Sequence, residues 1–259
     1  TPLQRVTKKR TAKEGYHTWL ERRPVKLTIF ATIAILIGGM VQIIPSLMVD
    51  DYVPVISTVK PYTPLELEGR DIYIREGCVS CHSQMVRPFR SEVERYGEYS
   101  KSGEYVYDHP FLWGSKRTGP DLMRVGQKYS DNWHLNHFYD PQSTSSGSIM
   151  PSYKWLINKE LDKSQTEDKM EAMVSLGVPY TMEEIERAQQ WMDEQGTQIE
   201  KNLYTDPDFV SSYEANKKYA EENGEAFVEM RDREVVALIA YLQRLGTDIK
   251  IKTKEEVTT

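Results

Sequence analysis

The sequence predicts a mainly α-helical protein, with a single N-terminal transmembrane helix followed by a water-exposed helical domain that carries a helical insertion. Three observations predict this. A 23-residue run without charge, Leu27 to Val49, follows a basic head. Helix-capping signals recur far downstream, where Thr181 stands three residues before Glu184 and Asp206 directly before Pro207. Near the end of the sequence Val235, Leu238, Ile239, Leu242 and Leu245 recur at helical spacing. With 28% charged and 39% hydrophobic residues among 259, the composition excludes a multi-span membrane protein, and the length allows one or two domains.

Residues 1–26 carry eight Lys/Arg against Glu14 and Glu21, a net charge of +6, so the remaining chain holds 25 Lys/Arg against 37 Asp/Glu and carries −12. A basic tail on an acidic body argues against nucleic acid as a partner. Residues 27–49 are read as the anchor. A helix of that length spans about 35 Å, enough for a hydrocarbon core of about 30 Å, and the run is longer than the apolar region of a usual signal peptide. The positive-inside rule then puts 1–26 in the cytoplasm and 50–259 on the far side, which in a bacterium is the periplasm. Residues 50–64, with Pro54, Pro61 and Pro64, read as an extended linker into an outer domain at 65–259.

Within that domain, Leu65, Leu67, Ile72, Tyr73 and Ile74 suit a short helix that ends at Gly77. Residues 83–129 show little periodicity. Ser130 or Asp131 caps a short helix with Pro141 past its end, and 143–153 reads as a polar loop. Residues 158–230 are strongly charged and helical in pattern, with the helix after Thr181 expected to stop at Gly196 and the one after Asp206 near Gly224. A last helix, about 231–245, stops at Gly246.

The chemistry concentrates in Arg75-Glu-Gly-Cys-Val-Ser-Cys-His82, which holds the only two cysteines. Cys78-x-x-Cys81-His82 puts two thiols one helical turn apart beside an imidazole, a spacing that matches the two vinyl groups of a haem whose iron then meets His82. Three alternatives stand beside it: zinc held by Cys78, Cys81 and His82 with His109, His134 or His137, a redox dithiol, and a plain disulfide. For a second axial ligand Met150 is favoured, because it lies 68 residues past His82 in a loop framed by Gly147 and Pro151. His134 and His137 are its rivals, Met85 is too near His82, and Met170, Met173, Met182, Met192 and Met230 read as packing residues. The Pro120 carbonyl is expected to accept from His82. Trp113 and Arg117 are candidate contacts to the haem propionates, with Ser115, Lys116, Arg87 and Arg124 nearby.

The order "GCVSCH", "TGPDL", "YSDNWHLNHFYDP", "GSIMPSY", "EVVALIAYLQRLGTD" resembles the class I cytochrome c fold, and with the N-terminal anchor it resembles the mono-haem subunit (subunit II) of the cbb(3)-type cytochrome c oxidases. The resemblance implies that Cys78 and Cys81 bind haem c covalently and that His82 and Met150 ligate its iron. It implies an electron-relay subunit in a bacterial inner membrane, between a di-haem cytochrome c subunit and a catalytic haem-copper subunit that holds haem b, with no catalytic site on this chain. A divalent cation at the catalytic-subunit interface is left open, with the loop Ser100 to Ser102 as a contributor. The acidic insertion at about 158–230 is read either as a contact to partner subunits or as a solvated excursion. The alternatives are the mono-haem subunit of a nitric oxide reductase and a membrane-anchored haem c sensor.

Overall fold

The computed structural model describes residues 16–48 and 56–250, in two compact units, 1–54 and 55–259. The basic head as far as residue 15 and the first part of the linker, including Pro54, lie outside the described residues. In the first unit, helix α1 (Tyr16–Glu21) is followed by α2 (Pro24–Met48), which opens on a proline whose missing N–H costs nothing at a helix start. Residues 24–45 of α2 are long and apolar enough to cross a membrane. The Arg23 guanidinium and the Lys26 ammonium lie over the Trp19 ring, 4.5 and 5.1 Å from its centroid, and together make the aromatic and cationic collar typical of a membrane–water interface.

In the second unit the described elements are α3 (Pro64–Arg75), α4 (Arg90–Tyr96), α5 (Asp131–Tyr139), α6 (Pro141–Thr144), α7 (Trp155–Asn158), α8 (Thr166–Ser175), α9 (Met182–Glu186), α10 (Ala188–Leu203), α11 (Pro207–Asn223) and α12 (Glu234–Arg244). No β-strand occurs among the described residues. The architecture is mainly helical, as the sequence predicts. Thr63 caps α3 in a reciprocal box with Glu66, and Ser130 caps α5 by accepting from the Trp133 N–H at 3.2 Å.

The core forms where α3 crosses α12. A Cβ on Gly69 would stand 1.9 Å from the Ala237 carbonyl oxygen and 2.9 Å from Tyr241 Cβ, so the two helices meet backbone to backbone and only glycine fits. Around the crossing Leu65, Ile72, Tyr73, Val235, Leu238, Ile239 and Tyr241 are buried in one cluster, with the Tyr73 and Tyr241 rings 5.5 Å apart. The crossing is tied at its rim by Arg75, which donates to both carboxylate oxygens of buried Glu234 at 2.9 and 2.5 Å.

The insertion departs from expectation in two ways. It is not simply a solvated excursion: Met192, Ile199, Leu203, Tyr213 and Met230 enter the main core, and Met170, Met173, Val178, Ile185 and Ala188 form a second cluster around Leu67 on the back of α3. Polar ties reinforce it, since Glu68 accepts from Thr166 Oγ1 at 2.7 Å and from Lys169 Nζ at 2.6 Å, while Tyr180 donates to the Tyr62 carbonyl at 2.6 Å. Nor does a helix end at Gly196. The helical run breaks at Arg187, and α10 continues through Gly196, where glycine is explained by close approach instead: a Cβ there would crowd the Arg231 carbonyl at 2.9 Å. α11 does end at Gly224, which adopts φ +65°. Met182, expected in packing, is exposed on α9.

Gly69→Ala tests the crossing. Its added methyl should cost about 3 kcal/mol of stability through overpacking and lower Tm by roughly 5–10 °C in thermal melts followed by circular dichroism, despite the better helix propensity of alanine.

Candidate functional site

The C-terminal end of α3 delivers the cysteine motif. Gly77, at φ +72°, takes the left-handed conformation that stops the helix, and the chain then winds into a 3₁₀ turn at Cys78–Ser80. The His82 N–H donates to the Cys78 carbonyl at 2.9 Å, and Gly119 N–H to that of Cys81 at 2.9 Å. His82 Nδ1 lies 2.8 Å from the Pro120 carbonyl, an acceptor only, so Nδ1 carries the proton and Nε2 keeps its lone pair. A Cβ on Gly119 would fall 2.3 Å from His82 Cε1, so this glycine makes room for the imidazole.

Asp121 locks the two loops together. Its carboxylate accepts from Ser83 Oγ at 2.5 Å and from the Met85 and Met123 N–H groups at 2.9 Å each. Arg117 spans the same joint, donating to Ser83 Oγ at 2.6 Å, to the Met85 carbonyl at 2.8 Å and to Glu92 at 2.8 Å. Glu92 is held down to about 2, first by Arg117 and then by Arg87.

Facing the motif is a cavity of about 440 Å³, within the roughly 300–1,000 Å³ usual for cofactor sites. Cys78, Cys81, His82, Pro120 and Met150 all line it, as do Leu238 and Leu242 from α12. The methionine loop turns at Gly147, φ +76°, and is tied on either side of Met150: Ser148 Oγ accepts from the Met150 N–H at 3.2 Å, and the Tyr153 N–H donates to the Phe138 carbonyl at 2.7 Å. Trp155 Nε1 donates to Glu76 at 3.1 Å, joining the end of this loop to the approach of the cysteines. Burial lowers the His82 pKa, which keeps the imidazole in the neutral form a metal needs. Burial, with Glu76 as a lesser cause, pushes the Cys78 thiol up to about 12, the reverse of what a thiolate nucleophile requires.

Trp113 and Arg117, expected from sequence as propionate contacts, do not line the cavity. Trp113 stacks on Phe111 with centroids 4.5 Å apart, and Arg117 spends its donors on Glu92, Asp121, Ser83 and Met85. Arg124 does reach the wall, but its guanidinium is spent on Glu104 and the Glu98 and Tyr99 carbonyls, while Arg87 pairs with Glu92. Ser100 Oγ accepts from the Val86 N–H at 2.9 Å, and among the described residues no three His, Cys, Asp or Glu side chains gather to hold a metal ion, which weakens the zinc reading. Sequence reading missed a stacked column on one side of the cavity, Tyr129 on Trp133 (4.0 Å) and Trp133 on His137 (4.6 Å). Its signal was the four-residue spacing of Trp133 and His137 on one face of α5, with Tyr129 just before the Ser130 cap.

The family model described as "Cytochrome C oxidase, mono-heme subunit/FixO" matches residues 17–249. The chain belongs to this family. No curated protein matches the chain. Membership makes it a subunit of a cytochrome c oxidase complex with one haem, and the apolar N-terminal helix fits a membrane anchor. The cavity fits a haem: two thiols and a neutral imidazole with a free Nε2 stand at its wall, and a thioether lines it too.

The Glu92 carboxyl gives the fold a pH dependence. A depressed carboxyl stabilises the fold above its unfolded value, near 4.5, and that contribution is lost as pH falls toward about 2. The melting-temperature gap between the unaltered protein and Glu92→Gln should therefore be full above pH about 4.5 and close as the solution is acidified towards about 2.

Proposed function

We propose that this chain is the electron-relay subunit of a membrane-bound cbb(3)-type oxidase. It would pass electrons from a di-haem cytochrome c subunit to a catalytic haem-copper subunit with haem b, from the periplasmic side of a bacterial inner membrane, with residues 1–26 in the cytoplasm. The observation that carries this reading is one cavity lined by Cys78, Cys81, His82 and Met150.

In this reading Cys78 and Cys81 would hold haem c through thioether bonds, and His82 Nε2 and Met150 Sδ would ligate its iron. The haem supplies a one-electron couple that needs no bond rearrangement in the protein. Pro120 fixes the tautomer and orientation of His82, and Gly119 gives the ring its seat. A thioether ligand and an apolar wall from Leu238 and Leu242 favour the reduced state, so the centre suits donors of fairly high potential. Oxygen reduction and proton translocation belong to the catalytic subunit. The outer face of the 158–230 insertion, acidic and exposed, is assigned to partner subunits, and a divalent ion near Ser100–Ser102 would need ligands from such a partner. The family match weighs for the oxidase over a nitric oxide reductase subunit.

Two variants test the reading. The full chain purified in detergent should keep a haem-stained band through denaturing electrophoresis and gain the mass of one macrocycle, while the double variant Cys78→Ala, Cys81→Ala should show neither. Met150→Ala should keep the band, become high-spin, lower its midpoint potential and bind carbon monoxide when reduced, which the unaltered protein should not do at neutral pH. Ready carbon monoxide binding by the unaltered protein would point to a sensor.

A further inference from the structure

The groups that line the cavity come from separate stretches of chain: the thiols and His82 follow α3, and Met150 precedes α7. Among the described residues one hydrogen bond joins residues 75–82 directly to residues 145–158, from Trp155 Nε1 to Glu76 at 3.1 Å. Both of its ends are fixed. The Glu76 N–H closes α3 on the Ile72 carbonyl at 2.9 Å, and its other carboxylate oxygen accepts from Arg75 Nε at 3.0 Å. Trp155 opens α7, where the next residue, Leu156, is fully buried and the Ile157 carbonyl accepts from Arg233 at 2.9 Å. The Trp155 ring lies 5.2 Å from that of Tyr153, which lines the cavity with both thiols. Trp155 is nevertheless 50% exposed. Its N–H has water as an alternative acceptor, so the bond adds little to global stability, and what it does fix is the position of one stretch against the other.

A thioether is a soft, uncharged ligand, and what keeps it on a metal against a competing imidazole is how closely its own loop confines it. Trp155 stands five residues past Met150, at the end of that loop. We propose that the Trp155–Glu76 hydrogen bond is a clasp on the methionine loop, which makes Trp155 and Glu76 positioning residues for the Met150 thioether at the haem iron. This rests on the haem reading above and deepens it. With the bond made, the end of the loop is tied to the helix end that carries the thiols, and Met150 keeps its spacing from His82. With the bond broken, the loop gains arrangements in which the thioether stands off the iron, and an outside ligand binds that fraction of molecules. Neither residue touches the iron.

The test uses the full chain, haem-loaded and oxidised, in detergent, with imidazole as the probe that displaces the thioether. Trp155→Phe keeps an aromatic ring beside Tyr153 and loses only the donor. It should retain the covalent haem band and the thioether–iron charge-transfer absorption, yet bind imidazole roughly threefold to tenfold more tightly than the unaltered chain, the ratio that one net hydrogen bond supplies. Glu76→Gln, whose amide oxygen still accepts, should fall between the two. Glu76→Ala should match Trp155→Phe, and the double variant should bind imidazole no more tightly than Glu76→Ala alone, because one bond is lost only once. In the unaltered protein, labelled with ¹⁵N-tryptophan, the Trp155 indole proton should exchange with solvent faster once imidazole has displaced Met150, a measurement that needs no variant to fold. Unchanged imidazole affinity in Trp155→Phe, whatever its melting temperature, overturns the proposal and leaves the bond a packing detail. Additive effects in the double variant, or an indole proton equally protected before and after displacement, also overturn it. Absence of haem from the unaltered chain takes down the function proposed above, whereas haem present with unchanged imidazole affinity takes down the clasp alone.

Discussion

The contact between Gly69 and the Ala237 carbonyl governs the rest of the outer domain. It brings α3 and α12 close enough that their flanking aromatic and aliphatic side chains bury each other, and both helices then extend to the cavity. α3 ends at the cysteine motif, and α12 gives Leu238 and Leu242 to the cavity wall. Any separation of the two helices would move the thiols relative to the apolar wall. The Arg75–Glu234 pair guards against this at the end where the motif begins, and buried Glu234 also pairs with Lys159, so removing the carboxylate would cut two ties at once.

The second constraint is the joint between the motif and the loop at 117–124. The residue after the histidine, Ser83, donates to Asp121 and accepts from the Leu122 N–H at its carbonyl, so the two segments are stitched on both side-chain and backbone levels. The His82–Pro120 bond sits inside that stitch and inherits its rigidity. An imidazole so held loses little rotational freedom when it takes a ligand, which is the physical meaning of a site built before its cofactor arrives.

Where chemistry is local in sequence, it was legible there. The cysteine spacing, the proline-framed methionine, the Thr181 box and the Asp206 cap each depend on residues within a few positions; the structure forms both caps and lines one cavity with the cysteines and the methionine. The uncharged run was equally plain because length alone decides it. What could not be read were choices made between distant groups. Arg117 looked free beside the "GPDL" segment, yet Glu92, 25 residues earlier, takes its guanidinium. Gly196 looked like a stop because glycine breaks helices in isolation, whereas here a close neighbour, Arg231, needs the missing side chain. His134 stood in the sequence as a rival axial ligand, and its burial with an unpaired nitrogen is visible only in three dimensions.

These distant choices share one electrostatic result. Arg87, Arg117 and Arg124 are all neutralised by Glu92, Asp121 and Glu104 behind the loops, so none of these guanidinium charges is left to face the cavity unpaired. Of the charged side chains at the wall, Arg124 and Asp121 are turned to protein partners, and much of the remaining lining is uncharged: thiols, a thioether, imidazoles whose pKa burial lowers, and leucines. In such a low-dielectric wall, an iron that loses an electron gains a positive charge with little nearby to solvate it, and the reduced state is favoured without a buried cation having to be stabilised.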